Sequence, residues 1–253
     1  MVSVLVLLIA MGIFWYLACL YQNSGMVDLF WPLAFLIIGY SIWPLNLKPT
    51  IYNLIPFILL VSWGYRMFSF FLFTRILPQI KEERYDRMLK MNQQNFKLTM
   101  FKQFCIQLVI IIIIATPLYR LFLLPIDQVN FLYWVGCTIS LFGIINQALC
   151  DIQLFVYKQR HFGVCKTGWW QYSRHPDYFF EITIWIGFCC MNFVFSLPYL
   201  TFISPIVLFC VMNFITIPVT EEHALSKRPY LYLLYQKNTS KLIPWARKES
   251  SIV

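Results

Sequence analysis

Charge is scarce in this chain. Lys, Arg, Asp and Glu make up 12% of 253 residues, about half the share in a typical soluble domain. Several catalytic signatures are missing as well. No G-x-G-x-x-G loop, phosphate-cradling P-loop or H-E-x-x-H helix occurs, and these are the usual local supports for dinucleotides, triphosphates and zinc. The G-x-S-x-G elbow of α/β hydrolases is missing too. Three histidines, His161, His175 and His223, are too far apart to form a metal-spaced cluster. Eight cysteines are present without a C-x-x-C pair, so they read as small apolar residues in helix packing. Cys165 alone falls in a polar loop and is a candidate reactive thiol.

Apolar residues fill the space left by charge, at 60% of the chain with a mean hydropathy of +0.65. That composition indicates a polytopic membrane protein. Runs near the roughly 20 residues needed to cross a bilayer fall at about 1–21, 27–44, 52–73, 104–123, 130–153, 178–197 and 199–219. The first has no Lys or Arg ahead of it and reads as a retained span rather than a cleaved signal. The expected fold is therefore all-α, a single-domain bundle of about seven transmembrane helices.

Basic residues set the expected orientation. They gather in 74–103, in 154–177 and after 219, whereas the alternate loops carry Lys48, with Arg120 near a helix end. The positive-inside rule places the three basic segments in the cytoplasm, with the N-terminus outside and the C-terminus inside. The net charge of +9 then faces anionic lipid or an anionic cofactor and not nucleic acid. Residues 79–102 alternate in sign and suit an exposed helix with i,i+4 charge pairs.

Polar residues nevertheless occur where lipid is expected. Asp28 opens the second run, Arg66 lies within the third, and Gln147 and Asp151 close the fifth. Glu181 begins the sixth, and Glu221 and Glu222 end the seventh. Intramembrane charge costs about 2.5–3.5 kcal/mol per residue on insertion scales, so these groups need partners or a ligand. The densest stretch runs from Gln171 to Glu181 and holds Arg174, His175, Asp177 and Glu181. Asp177 and Glu181 are four apart and share a helix face. If the fifth helix continues, Gln147, Asp151 and Lys158 form one stripe. Two readings follow: ion pairs that lock the bundle, or a polar pocket open to the cytoplasm.

The chain resembles bacterial membrane proteins related to the C-terminal domain of steroid 5α-reductases, a group known mainly as a domain of unknown function. The resemblance spans nearly the whole length. It is carried by Asp28-x-x-Trp31, Trp63-Gly64-x-Arg66, Arg75 with Glu83-Arg84-Tyr85, Asp151-x-Gln153-Leu154, Gly168-x-Trp170-x-Tyr172-Ser173-Arg174-His175-Pro176-x-Tyr178-Phe179-x-Glu181, Trp185-x-Gly187, Tyr232-x-x-Tyr235 and Thr239-Ser240-x-x-Ile243-Pro244. It implies a seven-helix bundle with a cytoplasm-facing NADPH site, reducing an activated C=C bond in an apolar steroid- or isoprenoid-like substrate. The implied cofactor contacts are Arg75, Asp151, Lys158, Asp177, Glu181, His223 and Arg228. Arg84, Gln147, Tyr172, Arg174, His175, Tyr178 and Glu222 complete the candidate set. Asp28, with Arg66, is the candidate catalytic group at the substrate carbonyl; a carboxyl there must hold a proton to donate. Three positions depart from the reductase pattern: Leu72 or Phe71 stands at its tyrosine, Asp177 at its asparagine, and Gln147 at a Glu or Asn.

The late motifs also resemble isoprenylcysteine and phospholipid methyltransferases. Arg174-His175-Pro176-x-Tyr178 and Glu221-Glu222-x-x-Leu225 match segments that hold S-adenosylmethionine there. A third reading is a non-enzymatic lipid-binding or assembly protein. Membrane lipids are partners in each case, and the bacterial inner membrane is the expected location.

Overall fold

The computed structural model describes residues 2–78 and 95–246. Ten α-helices occur among them: α1 Val2–Tyr21, α2 Met26–Ile42, α3 Ile51–Phe71, α4 Phe96–Ile114, α5 Thr116–Leu123, α6 Phe131–Arg160, α7 Pro176–Met191, α8 Ile203–Val211, α9 Ile217–Lys227 and α10 Pro229–Asn238. Seven segments are long and apolar enough to cross a membrane. The protein is an integral membrane helix bundle with the expected number of spans.

Several limits differ from those expected, for identifiable reasons. α4 starts at Phe96 rather than 104, because Asn95 caps it by accepting the Lys97 N–H at 3.0 Å. Lys97 and Lys102 therefore ride on the first turns of a helix, where long side chains reach back to water. The same span breaks at Ala115, and Pro117 sits in the first turn of α5, a position where its missing N–H costs nothing. α6 does not stop at 153 but runs 30 residues, about 45 Å of helix against a hydrocarbon layer of about 30 Å. The last span, expected at 199–219, covers 198–227 and includes a π-helical turn at Met212–Thr216. The charged stretch expected as an exposed helix falls mostly at 79–94, outside the described residues; 96–102 belongs to α4.

Tight turns keep neighbouring helices antiparallel. Between α1 and α2, Gln22 adopts φ 48° and the Asn23 side chain accepts the Gly25 N–H at 2.9 Å. At the other end, Asn53 in the first turn of α3 donates to the carbonyls of Leu121 and Leu124 at 2.7 and 2.8 Å. Those carbonyls end α5 and have no partner within the helix.

The closest helix pair is α6 with α7. A Cβ built on Gly136 lies 2.6 Å from the Gly187 carbonyl, and one on Gly143 lies 2.7 Å from Ile184. A Cβ on Gly187 collides with Ser140. Small residues let the two backbones approach, the common basis of helix association in lipid. Ser140 adds a hydrogen bond to the Ile184 carbonyl at 3.0 Å. This contact brings Gln147 alongside Glu181.

Candidate functional site

Helix polarity places one set of ends together: the starts of α2, α4 and α7 and the ends of α3, α6 and α9. Most of the polar intramembrane residues sit there. The innermost is Glu181, whose residue is 1% exposed. Its Oε1 accepts the indole N–H of Trp31 at 3.3 Å and of Trp185 at 3.4 Å. Its Oε2 accepts the Trp63 indole N–H at 3.2 Å and the Gln147 amide. An ionised carboxylate is acceptor-only, with capacity for about four donors, and four N–H groups converge on this one. Both carboxylate oxygens are therefore already engaged by the protein.

Gln147 passes the connection on. Because its Nε2 donates to Glu181, its Oε1 is turned to accept from Arg66 at 2.6 Å and Trp63 at 3.1 Å. Arg66 then pairs with Asp151 at 2.7 Å. The chain Glu181–Gln147–Arg66–Asp151 thus links α7, α6 and α3. Nearer the membrane surface, Arg75 pairs with Asp28 at 3.0 Å, and its guanidinium lies 4.5 Å over the Phe71 ring. Arg75 belongs to a π-helical turn, Leu72–Ile76, a local widening that often marks functional positions. Asp28 is one helical turn from Trp31, so α2 joins the two pairs.

Asp177 completes this group. It lies in the first turn of α7, within electrostatic range of Asp151 and Arg75. Its Oδ1 is buried without a hydrogen-bond partner, as is Arg66 Nε. A buried acceptor and a buried donor with no protein partner are costly, and both lie on residues of this cluster.

The Gln171 to Glu181 stretch serves two sites rather than one. Arg174 and His175 turn away from Asp177 toward the C-terminal segment. Arg174 Nε lies 2.6 Å from Glu221 Oε1, and His175 Nε2 lies 3.1 Å from the same oxygen. Gln236 donates to Glu221 Oε2 at 2.8 Å. Arg174 also donates to the carbonyls of Gln236 and Thr239 at 3.0 and 2.8 Å, closing the end of α10. Burial pushes the His175 imidazole below its usual range, opposed by Glu221. The ring stacks on Tyr178, with centroids 5.4 Å apart. Around this clasp, Ser173 donates to the Leu242 carbonyl at 2.7 Å, and Tyr235 donates to the Ser173 carbonyl at 3.1 Å.

The remaining candidates scatter around these two clusters. Lys158 is exposed near the end of α6, and Glu222 is exposed on α9. His223 and Arg228 are half-buried at and just past the α9 end. Tyr172 is exposed, and its carbonyl accepts the Trp245 N–H at 3.0 Å. Arg84 lies outside the described residues. Cys165, the candidate reactive thiol of a polar loop, is buried in a cluster with Cys150, Trp170 and Phe180. A separate cleft of about 380 Å³ lies between Pro125–Gln128 and Val194–Phe195. It opens at the opposite end of the bundle and shares no residue with the polar cluster.

Sequence reasoning missed the part played by the tryptophans and by Glu221. A signal was available: a buried indole N–H needs an acceptor, and intramembrane acceptors were few. Residues 14–239 match the family described as a protein of unknown function, DUF1295. The chain belongs to the DUF1295 family. The match includes every candidate residue of both clusters of this DUF1295 protein. No curated protein and no solved structure matches the chain.

Proposed function

We propose that this DUF1295 protein is a membrane-embedded, NADPH-dependent reductase of an activated C=C bond in an apolar, steroid- or isoprenoid-like substrate, with its site facing the cytoplasm. One observation carries the reading: Asp28, Arg66, Arg75, Gln147, Asp151, Asp177 and Glu181 converge from four spans at one end of the bundle. The cluster adjoins an apolar wall of Phe35, Trp63 and Trp185, whose rings lie 4.7–6.0 Å apart. A water-soluble nucleotide and a lipid-borne substrate can meet at such a boundary.

The residues fit a nucleotide. The unpartnered Asp177 Oδ1 accepts from a hydroxyl or amide, and Asp151 sits close by. Within the cluster, Arg75 supplies positive charge for phosphates. NADPH, when bound, supplies hydride. Asp28 is held by Arg75 at 3.0 Å, so its carboxylate is already engaged by the protein. The polarising role at the carbonyl therefore passes to Arg66, whose Nε–H has no protein partner. Glu181, saturated by its four donors, acts through Gln147 as a positioning residue for Arg66.

A second reading is an S-adenosylmethionine-dependent methyltransferase. Two neighbouring carboxylates, Asp151 and Asp177, one with an unpartnered oxygen, favour a cationic ligand. Equilibrium binding to the detergent-purified full-length protein separates the two. The reductase reading expects NADPH to bind and raise the melting temperature, since only ligands preferring the folded state stabilise. It also expects Asp177→Ala, which removes the acceptor, to weaken binding while the apo melting temperature holds. Stabilisation by S-adenosylhomocysteine but not by NADPH overturns it in favour of the second reading. Binding of neither overturns both.

A further inference from the structure

Beyond the last span the chain keeps an apolar outer surface. Helix α10 follows α9 after a single residue, Arg228. Its inner face is settled: Tyr232 and Tyr235 are buried, and Gln236 reaches Glu221. Its outer face carries Tyr230, Leu233 and Lys237, at spacings that form one stripe. Tyr230 is 72% and Leu233 is 49% exposed, with Ile243 at 62% and Trp245 at 74% just downstream. Large side chains exposed together outside a membrane span mark a surface that something covers.

Charge identifies the cover. Segments 154–176 and 228–246 contain Lys158, Arg160, Lys166, Arg174, Arg228, Lys237 and Lys241 and no Asp or Glu. Glu221 takes up the charge of Arg174; Arg160 and Lys237 are exposed. The covering surface is therefore apolar and negative. A second copy of the chain presents the same positive charge and repels. The leaflet that holds the bundle lies one residue away from α10, and aromatic residues favour its headgroup level. We propose that residues 228–246 form an interfacial anchor seated in the headgroup layer, and that the surrounding basic residues select anionic phospholipids. The anchor is clamped to the bundle by Gln236, which donates to Glu221, and by Arg174, which donates to the Gln236 and Thr239 carbonyls.

The test uses the full-length protein in lipid nanodiscs of phosphatidylcholine, with and without phosphatidylglycerol. Acyl-chain-brominated lipid quenches nearby tryptophan, and the difference between wild type and Trp245→Phe isolates Trp245. A brominated-lipid-quenched Trp245 signal is expected. Phosphatidylglycerol is expected to be enriched over phosphatidylcholine among co-purifying lipids. The variant Arg160→Gln/Lys166→Gln/Lys237→Gln, which leaves the buried face of α10 intact, should reduce that enrichment by about fivefold or more, the factor that about 1 kcal/mol for a single basic residue near an anionic leaflet corresponds to. Unquenched Trp245, or enrichment unchanged in the triple variant, overturns the proposal. So does a stable dimer that Tyr230→Ser/Leu233→Ser dissociates, since a second copy then covers the surface.

Discussion

Arg174 and Glu221 are 47 residues apart in sequence, and their side chains meet at 2.6 Å. The contact joins the segment just before α7 to the middle of α9 and, through Gln236, to α10. Both side chains are nearly buried, at 11% and 12% exposure. Removing one member leaves the other uncompensated, which costs on the order of 3 kcal/mol. Glu221→Ala should lower the melting temperature of the purified protein and make residues 228–246 more susceptible to limited proteolysis. Arg174→Lys should recover little, because an ammonium cannot bind Glu221 and two carbonyls with one planar fork.

His175 gives the clasp a pH dependence of definite sign. Burial lowers its pKa from the usual 6.5, with Arg174 and Lys241 adding to the shift and Glu221 opposing it. The folded state therefore binds the proton less well than the unfolded state. Its contribution is fully present above about 6.5 and is lost as pH falls toward the folded value. Thermal melts should shift downward from pH 7.5 to pH 5.5. In His175→Gln, which keeps a donor for Glu221 and does not titrate, that slope should flatten.

The carboxylate of Glu181 is matched to its donors, so the amide is a poor replacement. In Glu181→Gln one oxygen becomes an NH₂ group facing the N–H groups that met that oxygen. At least one buried donor loses its acceptor, at about 1–3 kcal/mol. The variant should melt earlier, and its near-ultraviolet circular dichroism should change through Trp31, Trp63 and Trp185. An unchanged aromatic spectrum would argue against the indole cage.

Close packing of α6 on α7 makes Gly187 intolerant of a side chain. An added methyl meets Ser140 Oγ and lies 2.6 Å from the Gly136 carbonyl. Overpacking typically costs about 1–3 kcal/mol, and here the neighbour is backbone. Gly187→Ala should lower the melting temperature. By spreading α6 from α7 it should also weaken the Gln147–Glu181 contact, detectable as a change in near-ultraviolet circular dichroism like that of Glu181→Gln.

Much of the fold was legible in the sequence, although the span limits were not. Apolar length identified the seven spans, but Asn95 and the extended α6 show that caps and interfacial turns set their ends. Asp28, Arg66, Gln147, Asp151, Asp177 and Glu181 stood out because polar groups in lipid need partners. Their pairing did not: Asp28 takes Arg75, Asp151 takes Arg66, and Glu181 takes three indoles and an amide. Arg174 and His175 looked like neighbours of Asp177 and Glu181 in function because they adjoin them in sequence. Pro176 begins α7 between them, and the turn into the helix sends the two pairs to different partners.

The sequence by itself determined that this is a membrane helix bundle with its charges gathered at the span ends. Solvation by hydrocarbon acts locally, residue by residue along a run, so it can be read without knowing the fold. Only the tertiary structure decided which acid met which base, that Glu181 is saturated rather than open, and that the Gln171–Glu181 block divides between the Asp177–Glu181 cluster and the Arg174–Glu221 clasp. Those outcomes depend on helix rotation and on the close approach permitted by Gly136, Gly143 and Gly187, which act between segments far apart in the chain.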